Sequence, residues 1–153
     1  MKKLSVYLSH PLSGLTVEEI NKWYSPWILE LKNREFIVYD PITMQTKLKE
    51  LKTEKLGHIV SDRCDAITND HSIYERDKWG VSQADIILVD LSGAKAISIG
   101  CTMEIGWGAL LNKHVVVVMD KSNPHYHTFV LKSADVIFDN MFDAVDYVTS
   151  LNQ

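Results

Sequence analysis

One carboxylate, Glu104, stands inside the stretch SIGCTMEIGWGALLNK (Ser98–Lys113), between the apolar runs DIILVDL and VVVVM. Gly100 and Gly106 suggest a phosphate-binding turn, but the stretch lacks the Lys-Ser/Thr pair that a nucleotide-phosphate loop requires. In the first turns of a helix, unpaired N–H groups and the macrodipole keep a carboxylate ionised. Two readings follow. Glu104 is a plain helix-start acid, or it is a carboxylate held off the solvated face, since Cys101, Met103, Ile105 and Trp107 around it are largely apolar. An ionised carboxylate beside glycines that admit a ligand suits nucleophilic attack on a sugar anomeric carbon.

Tyr7 lies two residues before the end of the first apolar run. Its hydroxyl either reaches the rim of a site or is satisfied inside the core. Asp77, in YERDKWG, reads by itself as a solvent-facing helix acid paired with Arg76 or Lys78. His125 and His127, in NPHYH, invite a metal reading, but no third ligand stands at a suggestive spacing. A loop that hydrogen-bonds a ligand or a neighbouring subunit is the better expectation. The chain has no GxSxG elbow and no Ser-His-Asp order.

These side chains need elements to position them. LSVYLS (Leu4–Ser9) reads as a strand ended by His10-Pro11. Thr16 and Glu19 form a capping-box signature. It opens a helix with Ile20, Trp23, Trp27, Ile28 and Leu31 at helical spacing, and Pro26 should kink or split it. FIVYDP (Phe36–Pro41) is a second strand. The lysine- and glutamate-rich stretch 43–60 puts Leu48, Leu51 and Leu56 on one helical face, and its lysines read as solvated. A helix in TNDHSIYERDKWGVSQA is capped by Asn69, Asp70 or Ser72. DIILVDL (Asp85–Leu91) and HVVVVMD (His114–Asp120) are apolar without alternation, the pattern of parallel strands covered on both faces. A helix over about Gly100–Asn112 joins them. ADVIFD (Ala134–Asp139) is the last strand, and Phe142, Val145 and Val148 mark the last helix.

Strands alternating with helices imply an α/β fold: a single domain over residues 1–153, a doubly wound parallel five-stranded sheet of flavodoxin-like order 2-1-3-4-5. Ligands of such sheets bind beyond the carboxyl ends of the strands. Here those ends are Ser9-His10-Pro11, Asp40-Pro41, Asp90-Leu91-Ser92-Gly93 and Asp120, with Glu104 on the same rim.

A chain of 153 residues, 46% hydrophobic and 24% charged, fits one soluble domain. A net charge of −4 offers no basic surplus to neutralise nucleic acid. No apolar run is long enough to span a bilayer, and MKKLSVYLSHPLSG turns polar too soon for a signal peptide. Cys64 and Cys101 lie far apart with no CxxC, which argues against a disulfide framework or zinc site. A cytoplasmic location is the expectation.

Together, VYLSHPLSG, YERDKWGVSQADIILVDL, SIGCTMEIGWGALLNKHVVVVM and NPHYHTFV resemble the nucleoside 2-deoxyribosyltransferase family over nearly the whole chain. Members carry a YLAGP-like strand end and an (S/D)-x-G-x-x-x-E-(I/L)-G segment around a nucleophilic Glu. The resemblance implies retaining transfer of 2-deoxyribose between nucleobases through an ester on Glu104. It implies that Tyr7 orients Glu104, and that Asp77 protonates the departing base and deprotonates the incoming one. Gln45 would read the base edge. Ser9, His10, Pro11 and Gly14, with Ser98 and Gly100 at the helix start, would wrap the sugar and its 5′ end. Asn123, His125 and His127 would serve the site of an adjacent subunit in a homo-oligomer. The implied partners are a deoxynucleoside and a free nucleobase, with no metal and no organic cofactor.

The chain also departs from familiar members. Ser98 stands where some carry an Asp; a serine there resembles the related 2′-deoxynucleoside 5′-monophosphate N-glycosidases, whose serines contact the 5′-phosphate. An Asp would repel a phosphate and a Ser would not. SHPLSG lacks the Arg that those hydrolases use, with protonated His10 as its substitute. The chain ends Ser-Leu-Asn-Gln rather than on the aromatic residue whose terminal carboxylate enters a neighbouring site in familiar transferases. Two alternatives therefore accompany transferase activity: hydrolysis of a deoxynucleotide to base and deoxyribose 5-phosphate, and non-catalytic sensing of a nucleotide on the same fold.

Overall fold

Runs of Val, Ile and Leu without a polar face must be covered on both sides, and the architecture does this with helices above and below one sheet. The computed structural model describes residues 2–42 and 69–152. The expectations for Gln45, for Cys64 and for the Leu48, Leu51 and Leu56 face lie outside the described residues. Strands β1 (Ser5–Ser9), β2 (Ile37–Tyr39), β3 (Ile86–Asp90), β4 (His114–Val118) and β5 (Val136–Phe138) pair in parallel in the order β2-β1-β3-β4-β5. This is the expected order, with each strand shorter than its apolar run. Helices α1 (Val17–Asn33), α2 (Asp70–Gln83), α3 (Ile99–Leu110), α4 (Thr128–Ser133) and α5 (Met141–Ser150) complete the described fold.

Side chains alternate across a strand, so β1 sends Val6 and Leu8 to one side and Tyr7 to the other. Val6 and Leu8 join Ile20, Tyr24 and Leu31 of α1 and Val145 and Val148 of α5 in one apolar layer. Tyr7 joins Ile87, Val89, Val115, Val117 and the α3 residues Cys101 and Ile105 in the other. Ser9, two residues on, shares the Tyr7 face. Its register partner is Val89, as that of Tyr7 is Ile87.

The α3 helix lies close on that face because Gly108 has no side chain. A Cβ there would stand 2.9 Å from Ile87 Cγ1 and 3.0 Å from Val115 Cγ2. Its buried residues are Cys101, Glu104, Ile105 and Gly108, a stripe at helical spacing that carries Glu104 inward.

The capping box of α1 forms as read. Thr16 Oγ1 accepts from the Glu19 N–H at 3.2 Å, and Glu19 Oε2 accepts from the Thr16 N–H at 2.8 Å. Pro26 does not split the helix, which runs unbroken from Val17 to Asn33. Pro26 and Lys22, whose carbonyl loses its helical donor, are both exposed, so water can take that place. Among the three candidate caps of α2, Asn69 is the one used, accepting from the Ser72 N–H at 2.9 Å. No helix among the described residues is long and apolar enough to cross a membrane.

Candidate active site

Glu104 is buried, and both of its oxygens are held. Tyr7 donates its hydroxyl proton to Oε1 at 2.8 Å, and Ser9 Oγ makes a short hydrogen bond to Oε2. Both donors come from β1, and the alternation that puts Tyr7 and Ser9 on one face lets them grip the two oxygens. The helix start does not keep Glu104 ionised, contrary to the sequence expectation. Ser98 is the N-cap and Glu104 the sixth residue of α3, beyond the first turn where the macrodipole acts. Burial instead raises its pKa to about 7, with the Ser9 and Tyr7 hydrogen bonds pulling the other way. The carboxylate is therefore poised near neutrality.

Asp77 is not the solvated helix acid that its local sequence suggests. Lys78 pairs with Glu75 at 2.7 Å instead. Asp77 Oδ1 is buried without a hydrogen-bond partner. Burial, then the Glu104 charge, raise its pKa to about 8, with Arg76 opposing. Burial raises both carboxyls, and the Glu104 charge raises Asp77 further, so the two titrate as a coupled pair above the ordinary carboxylate range.

Four further groups stand around this pair, two of them, Tyr24 and Cys101, with no role read from the sequence. Tyr24 of α1 is fully buried and its hydroxyl has no hydrogen-bond partner. Burial, then the charges of Glu104, Cys101, Asp40 and Asp77, push its pKa upward. Cys101 Sγ lies 3.3 Å from Ser9 Oγ. Asp40, at the end of β2, is buried and accepts from the Ile42 N–H at 2.9 Å. Asp90, ending β3, accepts from Trp23 Nε1 at 3.1 Å and from the Ser92 N–H at 2.9 Å. Strand-end acids were legible as rim residues, but the α1 aromatics carried no such signal.

His10 is positioned by this same Asp90. Its Nδ1–H donates to the Asp90 carbonyl at 3.1 Å, and its ring stacks on Trp23 with centroids 4.1 Å apart. Burial lowers its pKa despite the neighbouring Asp90 charge. A protonated His10 standing in for an arginine is therefore disfavoured at neutral pH. Pro11 follows, half-buried, and Gly14 completes the turn with φ of +84°, a conformation that favours glycine.

At the other end of the rim, Ser98 Oγ accepts from the Cys101 N–H at 3.3 Å, and Gly100 is exposed one turn from Glu104. The Ser98 N–H donates to His125 Nε2 at 2.7 Å, which places the His125 proton on Nδ1, 2.8 Å from Asn123 Oδ1. Asn123 Nδ2 donates to the Leu91 carbonyl at 2.6 Å. His125 and Asn123 are both buried, and burial lowers the His125 pKa. These two side chains face into their own chain, where they clasp the loop after β4 to the start of α3. His127 caps α4, its Nδ1 accepting from the Phe129 N–H at 3.3 Å. Among the described residues, no group of three or more His, Cys, Asp or Glu is placed to hold a metal ion.

Comparison with known proteins gives the family and the fold. The sequence model of the family described as Nucleoside 2-deoxyribosyltransferase matches residues 6–146. No curated protein matches the sequence. Solved structures of the same fold include the CMP N-glycosidase BcmB of Clostridium botulinum, 14% identical over 96% of this chain and 98% of that one, with a TM-score of 0.58. The 2-deoxyribosyltransferase of the psychrotolerant bacterium Bacillus psychrosaccharolyticus is 19% identical over 94% of this chain and 91% of that one, with a TM-score of 0.62. The molybdenum cofactor binding protein of Rippkaea orientalis is 13% identical over 100% of this chain and 99% of that one, with a TM-score of 0.59. At these identities the likeness is one of backbone, and the last example shows the backbone in use with a different ligand.

Proposed function

The chain belongs to the nucleoside 2-deoxyribosyltransferase family, and from that premise we propose that it transfers 2-deoxyribose between nucleobases with retention, using Glu104 as nucleophile. The family consists of enzymes acting on the N-glycosidic bonds of nucleosides. The observation that carries the reading is Glu104 itself, a buried carboxylate with Tyr7 on one oxygen and Ser9 on the other, whose charge, after burial, helps to raise the pKa of Asp77 to about 8.

Glu104 attacks C1′ from the face opposite the base. A C1′–O bond forms as the C1′–N bond breaks, and its electron pair goes to the base nitrogen, while Asp77 supplies a proton to the departing base. A second base then attacks C1′ from the vacated side, yields its proton to Asp77 and releases Glu104 as carboxylate. Two inversions give retention. A 2′-deoxy sugar suits this path because no electron-withdrawing oxygen adjoins the developing cation. Gln45 serves the base edge in this proposal, and Ser98, Gly100 and the Ser9–Gly14 turn hold the sugar. Asn123 and His125 act by fixing α3 rather than by touching a neighbouring subunit.

The neutral tendency of His10 favours a nucleoside over a 5′-monophosphate, because it withholds the positive charge a phosphate would need. Ser98 at the α3 N-cap supports the second reading, an N-glycosidase that yields the same ester to water. Incubation with a deoxynucleoside and a different free base separates them. Base-exchanged nucleoside is the expected product; release of deoxyribose 5-phosphate from a monophosphate would replace transfer by hydrolysis. A 2′-fluoro-arabinosyl nucleoside should leave its sugar on the Glu104 peptide, read by mass. Turnover that persists in Glu104→Ala would overturn both readings, and binding without turnover in the wild type would leave a sensor.

A further inference from the structure

Ser9 has one hydroxyl proton and two neighbours for it, Glu104 Oε2 and, at 3.3 Å, Cys101 Sγ. An ionised carboxylate can only accept. With Glu104 ionised, as the proposed attack requires, the Ser9 proton is committed to the carboxylate, and the contact with sulfur then runs from the Cys101 thiol to Ser9 Oγ. The thiol keeps a proton for this purpose, since burial, then the Glu104 charge, push its pKa up to about 12. Cys101 also has a side-chain hydrogen bond with Ser98, the N-cap of its own helix. It sits one turn before Glu104 on the buried stripe of α3, so a small, donor-bearing side chain fills a position that packing alone would give to an apolar residue.

We propose that Cys101 is a positioning residue for the nucleophile: its thiol donates to Ser9 Oγ, holds the Ser9 hydroxyl on Glu104, and extends the clamp on the carboxylate as far as Ser98. The chain of contacts is then Ser98, Cys101, Ser9, Glu104, Tyr7. It joins the sugar end of the site to both oxygens of the attacking group. The ionisable groups facing Glu104 are Tyr7 on β1, Tyr24 on α1, Asp77 on α2 and Cys101 on α3, with Asp40 acting on Tyr24 and Asp77, and Asp90 on Cys101. Of these, Tyr7 touches the carboxylate directly and Cys101 touches it through Ser9. The consequence for turnover rests on the proposed role of Glu104; the hydrogen-bond chain does not.

The test is therefore a titration that needs no substrate. The infrared carbonyl band of protonated Glu104, identified by its loss in Glu104→Gln, is followed against pH in the wild type, Cys101→Ala and Cys101→Ser. Alanine removes the donor, weakens the Ser9 bond to the carboxylate, and should raise the midpoint by about half a unit, a roughly threefold change in proton affinity. Serine restores an O–H donor and should return the midpoint to the wild-type value. Cys101→Val, which fills the volume without a donor, should behave like alanine. In turnover, kcat should fall several-fold in the alanine and valine variants, recover in the serine variant, and leave KM within about twofold. Donor-free variants that fold with the wild-type Tm and titrate with the wild-type midpoint would overturn the proposal and reduce Cys101 to packing. A shifted midpoint in a protein that transfers no sugar would sustain it and overturn the proposed function instead.

Discussion

Tyr7 Oη lies 2.8 Å from Glu104 Oε1, across 97 residues of sequence, and this bond joins the first strand of the sheet to the third helix at the candidate nucleophile. It lowers the Glu104 pKa against the larger effect of burial. The contact thus does two things: it aims the carboxylate and helps to keep it ionised near neutral pH.

Removing that donor in Tyr7→Phe should cut kcat by about 10- to 100-fold while changing KM little, because a preorganised donor to the reacting group is lost. The same change should move the acid limb of kcat upward, since the carboxylate loses a hydrogen bond that favours its charged form. Steady-state kinetics across pH checks both. An unchanged acid limb would separate Tyr7 from the ionisation of Glu104.

The pH profile of the wild type should be bell-shaped and narrow. Activity needs Glu104 ionised and Asp77 protonated, and their pKa values are raised to about 7 and about 8. The profile should therefore rise through about 7 and fall through about 8, both limbs belonging to the coupled pair. Asp77→Asn should abolish the alkaline limb along with most of the rate for bases that need protonation. A flat profile from pH 6 to 9 would show that these two carboxyls do not govern turnover.

Stability should fall as pH rises. Both carboxyls are raised above their unfolded values, so the native state retains protons that the unfolded chain has already released. Their contribution is fully present below about pH 4 and is lost as pH climbs through about 7 to 8. Glu104→Gln, which removes the buried charge but keeps the shape, should stabilise the protein at pH 8 by on the order of 2 kcal/mol and have far less effect at pH 4. Urea denaturation at the two pH values reads this difference.

Tyr24→Phe should be close to neutral for the stability of the free protein, within about 0.5 kcal/mol, because the hydroxyl it removes has no hydrogen-bond partner. Tyr7→Phe, by contrast, should cost about 1–2 kcal/mol at pH 8, where it leaves a buried carboxylate oxygen without its donor. Comparing Tm for the two variants at that pH checks the pair. A Tyr24→Phe loss as large as that of Tyr7→Phe would mean the phenol is satisfied in solution.

Much of the fold was legible because its signals are local. The unalternating apolar runs at Ile86–Asp90 and His114–Val118 already required two covered faces, and the Thr16–Glu19 box marked the start of α1. The order β2-β1-β3-β4-β5 followed from alternation of strands and helices. Pro26 was misleading because a missing helical hydrogen bond at an exposed position can be hydrated, so the helix continues. The resemblance around Glu104 selected the candidate nucleophile before any geometry was known.

What the sequence determined by itself was periodicity. Tyr7 and Ser9 must share a face of β1, and Cys101, Glu104, Ile105 and Gly108 must share a face of α3. Only the tertiary structure decided that these two faces meet, which turned Ser9 from a sugar-loop residue into a direct partner of Glu104. It also decided burial, and with it proton affinity: Glu104 is raised to about 7 by desolvation rather than kept charged by a helix start, and burial raises Asp77 well above an ordinary surface acid. The inward turn of Asn123 and His125 was settled in the same way. Proton affinities and hydrogen-bond partners depend on which distant surfaces pack together, and spacing along a chain does not encode that.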